Sequence, residues 1–324
     1  MSTDVNTDIN PQMHFSSESQ YDEKRLNQFW HQVTQAKLPI SADISLAYCY
    51  INHPQSDKAI VISSGRIESY LKYKETIFDL YHLGYSVYAV DHRGQGLSSR
   101  LTTNPHQGHV GKFEDYIDDF EYFIDTVVTP AAHTSLFLLG HSMGSAIATL
   151  YLKRAPKTFK AAVLSAPMYG IRLPIHPHFI YWLAKLLDNG SAKEPNFVIG
   201  GKNYHPAVFE QNELTHSQVR YQQFRMLYQQ RPELQLGSPT NHWLQQAIIA
   251  SRKALIAAQQ STTPILILQA EYDSIVDNNA QTRAISEHCK LVTIANARHE
   301  IFIEKDAVRD EALSRLDAFF SSHY

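Results

Sequence analysis

Gly140-His141-Ser142-Met143-Gly144 is a G-x-S-x-G run lying directly after the apolar segment Ser135–Gly140 and directly before a helical pattern over Met143–Arg154. A serine on such a strand-to-helix turn occupies a sparsely allowed backbone conformation, at a cost of about 1–3 kcal/mol. Small residues two before and two after it relieve the crowding of the turn. The turn lifts the hydroxyl above a sheet and sets it at the head of a helix, where a nucleophile is useful. A glycine-containing turn with a capping serine is the bland alternative. The flanking strand and helix favour the nucleophile, framed by Gly140, His141 and Gly144.

A serine hydroxyl attacks poorly until a base takes its proton, and that base needs an orienting carboxylate. With a nucleophile on this kind of turn, the acid and then the histidine follow in chain order. Asp273 lies three to four residues beyond the apolar run Pro264–Gln269, and His299 follows Lys290–Ile294 in the segment Asn296-Ala297-Arg298-His299-Glu300. The separation is about one helix plus one strand, which brings the two loops side by side. The chain has 17 histidines, so position in a post-strand loop is the informative feature. Glu271 and Asp277 compete with Asp273; its distance from the strand end favours Asp273. An oxyanion also needs two fixed N–H donors. The amide of Met143 is one candidate. That of Arg66, after the run Ser63-Ser64-Gly65, is the other.

Positioning these loops requires a sheet. Ile44–Tyr50 alternates like an antiparallel strand, and Ala59–Ser63, Tyr85–Asp91, Ser135–Gly140 and Ala161–Ala166 read as further strands. Helical patterns at Leu71–Leu83, Phe113–Val128 and Met143–Arg154 separate them, and Asp22–Lys37 is expected to hold a short helix. This rhythm means an α/β fold with a mostly parallel central sheet and helices on both faces. It stops after Pro167 and resumes at Pro264–Gln269, continuing through a helix at Asn278–Glu287, a strand at Lys290–Ile294 and a helix at Ala307–Phe320. The expected organisation is a polar, disordered tail over 1–21, a core over 22–167 and 261–324, and an inserted helical cap over 168–260.

Lys+Arg 29 against Asp+Glu 32 gives a net charge of -3 with His neutral, so bulk charge offers nucleic acid nothing. Cys49 and Cys289 lie outside any metal-ligand spacing, and reduced thiols in a cytoplasmic setting are the simpler reading. No metal and no cofactor is expected. The N-terminus has no apolar signal region, and no apolar run approaches the roughly 20 residues of a spanning helix. Asp91-His92-Arg93-Gly94-Gln95-Gly96 has G-x-G but no third glycine. It is read as a structural turn with a buried Asp–Arg interaction, with His92 a scaffold residue, and not as a nucleotide site.

Together these residues resemble the monoacylglycerol lipase and lysophospholipase branch of the α/β-hydrolase family. The resemblance tightens around Gly65-Arg66-Ile67-Glu68-Ser69-Tyr70, Ala270-Glu271, Val276-Asp277-Asn278 and His299-Glu300-Ile301. It extends through Leu214-Thr215-His216-Ser217, Arg220-Tyr221, Gly237-Ser238-Pro239-Thr240 and His242-Trp243, so it includes the insertion. Ser63-Ser64 depart from the branch, which usually carries a histidine before this glycine. The resemblance implies an α/β-hydrolase fold, a lid made from the insertion, hydrolysis of a lysophospholipid, and loose association with the inner membrane. A lipid substrate with a single acyl chain also fits the apolar stretch Phe179–Leu187, since each buried CH₂ is worth about 0.8 kcal/mol. Phe179, Tyr181, Trp182, Leu183 and Trp243 are the candidate substrate contacts. Packing of that helix on the sheet is the alternative. A monoacylglycerol lipase or general carboxylesterase would use the same triad, whereas a non-catalytic binding protein would usually have lost one of its members.

Overall fold

The computed structural model describes residues 15–324. Eight strands form one sheet: β1 (Thr34–Pro39), β2 (Ser45–Ile51), β3 (Lys58–Ser63), β4 (Ser86–Val90), β5 (Ser135–His141), β6 (Ala161–Ser165), β7 (Ile265–Ala270) and β8 (Cys289–Ile294). Their order is β1-β2-β4-β3-β5-β6-β7-β8. Pairs β1–β2 and β2–β4 are antiparallel and the rest parallel. Central strands are buried on both faces, so they read as continuous apolar runs. Their alternation still sorts side chains: Ala59, Val61 and Leu138 enter one core cluster, while Ile60, Ile62, Phe137 and Leu139 enter the other.

Helices α1 (Glu23–Trp30), α2 (Lys74–His82) and α9 (Asp306–Ser321) cover one face; α3 (Glu114–Phe123), α4 (Met143–Arg154) and α7 (Asn241–Gln259) cover the other. Between β6 and β7 lie α5 (Pro177–Leu187), α6 (Gln218–Gln230) and then α7; α8 (Asn278–Arg283) precedes β8. No helix among the described residues is long and apolar enough to cross a membrane.

Four expectations need correction. The segment expected as helix to Lys37 stops at Trp30 and turns into β1, an edge strand with only Leu38 buried, whose weak pattern hides its pairing. The expected disordered tail lies partly outside the described residues, but 15–21 are docked. Ser16 donates to Asp79 at 2.6 Å, and the Glu18 amide to Asp306 at 2.9 Å. Helix α7 lies within the stretch expected to be cap, yet Trp243, Ala247, Ala250, Ala254 and Ala258 join the main core, where the alanines let it sit close to α4. Packing therefore changes near residue 240. Finally, Asp91 does not meet an arginine of its own turn. It accepts from the amides of Tyr70 and Leu97 and the Ser69 hydroxyl, while Arg93 reaches across to Asp119 at 2.5 and 2.6 Å. His92 is buried against the Ser63 hydroxyl at 2.9 Å, and burial pushes its pKa down to about 3.

Candidate active site

Ser142 has φ 50° and ψ -115°, left-handed for a residue with a side chain, and stands at the N-terminal boundary of α4 without a side-chain capping bond. Its surroundings hold it there. Its amide donates to the Ser165 carbonyl at 3.0 Å, and its own carbonyl accepts from Met168 and Ser145, each at 3.1 Å. Gly144 lies against the end of β3: a Cβ there would stand 2.1 Å from the Ser63 carbonyl oxygen. At Gly140 a Cβ would come within 2.8 Å of the Ser145 backbone. Both glycines are thus demanded by close approach around the turn. The Ser63 hydroxyl, at the end of β3, donates to the Gly144 carbonyl at 3.0 Å and completes the packing.

Asp273 follows β7 and His299 follows β8, so parallel neighbours bring them together. His299 Nδ1 lies 2.8 Å from Asp273 Oδ2, while Oδ1 accepts from the amides of Ile275 at 2.8 Å and Val276 at 3.0 Å. Burial pushes the Asp273 pKa up, but the hydrogen bond and charge of His299, with the two amides, outweigh it and hold it below the ordinary value. The competing acids are engaged elsewhere. Glu271 accepts from the Asn296 amide at 2.8 Å, and Asp277 caps α8 through the Asn279 amide at 3.0 Å.

Ser142, Met143, Arg66 and His299 all line one cavity of about 570 Å³, within the range of ligand pockets. Its apolar walls include Met168, Leu214, Phe224, Leu236, Trp243 and Val276. The amides of Met143 and Arg66 donate to no other group among the described residues, whereas that of Gly65 is taken by Glu68 at 2.5 Å. Of the residues expected to contact substrate, Trp243 lines the cavity. Phe179, Tyr181, Trp182 and Leu183 do not: α5 packs on α7 through Ala184 and turns its aromatic stripe outward.

A buried polar cluster beneath the site was not anticipated. His141 Nδ1 lies 3.0 Å from Glu68 and its Nε2 lies 3.2 Å from the His299 carbonyl oxygen. Both ring nitrogens face acceptors, an arrangement that favours the protonated imidazole. Burial pulls its pKa down, yet Glu68 outweighs that and the net shift is upward. Lys72 bridges Glu68 at 3.1 Å and Glu300. With His141 protonated, two carboxylates balance two cations, and the cluster braces the backbone of His299. The only signal in the sequence was the Glu68–Lys72 spacing of four.

A family model described as serine aminopeptidase, S33, matches residues 54–306. The chain is 39% identical over 311 residues to lysophospholipase L2 of Escherichia coli strain K12, covering 92% of this chain and 90% of that one. It is 36% identical over 299 residues to the probable lysophospholipase L2 of Haemophilus influenzae, covering 90% and 94%. Among solved structures, a soluble variant of the Saccharomyces cerevisiae monoglyceride lipase superposes with a TM-score of 0.69 at 18% identity, covering 90% of this chain and 97% of that one. The Paleococcus ferrophilus monoacylglycerol lipase gives 0.67 at 20% identity, covering 86% and 99%. At such identity the structural likeness concerns the fold: an α/β hydrolase.

Proposed function

The chain belongs to the serine aminopeptidase S33 family of hydrolases, and from that premise we propose that Ser142, Asp273 and His299 are a catalytic triad cleaving the acyl ester of a lysophospholipid. The observation that carries the reading is the buried His299–Asp273 contact opening onto the same cavity as the strained Ser142. The relatives named lysophospholipase L2, alike over nine-tenths of the chain, support the substrate class.

In this mechanism His299 Nε2 takes the Ser142 proton as Oγ attacks the ester carbonyl, and Asp273 holds the imidazole in the right tautomer and stabilises its cation. The amides of Met143 and Arg66 receive the developing oxyanion. Collapse expels the glycerophospho-alcohol, which takes the proton from His299, and leaves the acyl group on Ser142. Water, deprotonated by His299, then attacks the acyl-enzyme and releases the fatty acid. The acyl chain lies along the apolar walls under a cap formed by about residues 168–240, α7 belonging to the core.

Helix α5 has a different role in this reading. Phe179, Trp182 and Leu186 are 65%, 52% and 81% exposed, stand on one face, and are accompanied by Lys185 with no acidic residue on the helix. An exposed apolar stripe of this kind suits the interface of a membrane, so we assign α5 to peripheral membrane contact. Product analysis on lysophospholipids and monoacylglycerols tests the substrate: free fatty acid and glycerophospho-alcohol are expected in equal amounts. Turnover of monoacylglycerols alone would overturn the lysophospholipid reading and leave the triad standing.

A further inference from the structure

Resting on the lysophospholipid reading, we propose that Arg66 and Arg225 form a phosphate subsite in the cavity beside Ser142, which takes the head-group phosphodiester of the substrate. Both residues line the cavity. Arg66 donates to the Gly237 carbonyl at 2.5 Å and lies 5.1 Å from the Trp243 ring centroid; Arg225 donates to the hydroxyls of Tyr204 at 3.1 Å and Tyr221 at 2.6 Å. Its guanidinium also stands 4.9 Å from the Phe224 ring centroid. Each Nε is buried without a hydrogen-bond partner. Among the described residues neither guanidinium lies within 4.0 Å of a carboxylate, although Arg93 and Arg220 do.

The two walls are tied together, since the Tyr228 hydroxyl, one turn beyond Arg225, donates to the carbonyl of Ile67 next to Arg66. Lys202 lines the same cavity, whereas Lys72 is neutralised by Glu300 and Glu68. The cavity therefore holds an excess of positive charge that carbonyls, hydroxyls and rings orient but do not neutralise. Burial pulls the Arg66 pKa down to about 10, and a bound anion would oppose that shift. Guanidinium forks suit phosphate oxygens, which accept two parallel N–H bonds. A monoacylglycerol has no phosphate, so this subsite separates the two classes of single-chain lipid.

The test compares kcat/KM for lauroyl lysophosphatidylethanolamine and monolauroylglycerol in the wild type, Arg225→Gln, Arg225→Lys and Arg66→Gln. The ratio of the first substrate to the second should fall about tenfold or more in the glutamine variants and recover in part with lysine. In a second arm, glycerophosphoethanolamine should inhibit monolauroylglycerol hydrolysis at lower concentration than inorganic phosphate, and glycerol should not inhibit. That inhibition should weaken in both glutamine variants. An unchanged ratio together with unchanged inhibition in folded variants overturns the subsite. Equal inhibition by inorganic phosphate overturns its assignment to the head group. A wild type that leaves lysophosphatidylethanolamine intact ends the substrate reading, while the inhibition arm still decides whether Arg66 and Arg225 hold phosphate.

Discussion

Asp273 and His299 stand at the ends of adjacent parallel strands, buried, with the carboxylate tied by two amides and the imidazole. Helix α5, between β6 and β7, instead buries only Ala184 and leaves a row of large apolar side chains in the open. The first region is over-determined by its neighbours; the second meets too few of them to use its own apolar surface. Groups that must meet reacting atoms within a fraction of an ångström belong on the sheet. Groups that choose among lipids or surfaces can sit on elements that pack lightly.

This contrast can be broken most directly at the nucleophile. Ser142→Ala should lower kcat by about 10⁴-fold or more, and His299→Ala by nearly as much, because the triad acts as a unit. Ester hydrolysis and thermal melting on the same preparations check it; substantial activity in Ser142→Ala would end the proposal. Next comes the acid. Asp273→Asn should lower kcat by about 10⁴-fold, whereas Asp277→Asn keeps a good N-cap for α8 and should leave stability within about 0.5 kcal/mol of wild type and activity nearly unchanged. A larger activity loss at Asp277 would reverse that assignment.

The proposed cap can be sharpened at its anchor. Arg220 on α6 is buried between Glu75, at 2.8 Å, and Asp306, also at 2.8 Å, and thereby joins α6 to α2 and α9. Arg220→Met should lower unfolding stability by about 3 kcal/mol, since it strands the buried carboxylate of Glu75 and takes a partner from the half-buried Asp306. Denaturant melts measure this, and a loss below about 1 kcal/mol would show that α6 is anchored by other contacts. The smallest effect is expected at α5. Paired Phe179→Ser and Leu186→Ser changes should weaken binding to anionic lipid vesicles about tenfold. Hydrolysis of a short water-soluble ester should stay within about twofold of wild type. Unaltered vesicle binding, or a collapse of soluble-ester turnover, would return α5 to the substrate pocket.

The sequence by itself was enough for the buried strands β3 to β7, the edge strand β8, the tight turn at Ser142, and the placement of Asp273 and His299 past strand ends. Those features follow from local rules: a strand covered on both faces is continuously apolar, and a crowded turn needs its glycines. Edge strand β1 escaped because one buried residue, Leu38, leaves no alternation to see. The partners escaped too: Arg93 with Asp119, His141 with Glu68, Ser16 with Asp79, and the two arginines left without a carboxylate in the cavity. Helix α5 carries the same lesson, for its apolar stripe was legible and its direction was not. Periodicity records that a face is apolar, but which neighbour covers it is decided by how distant segments pack, and only the tertiary structure holds that information.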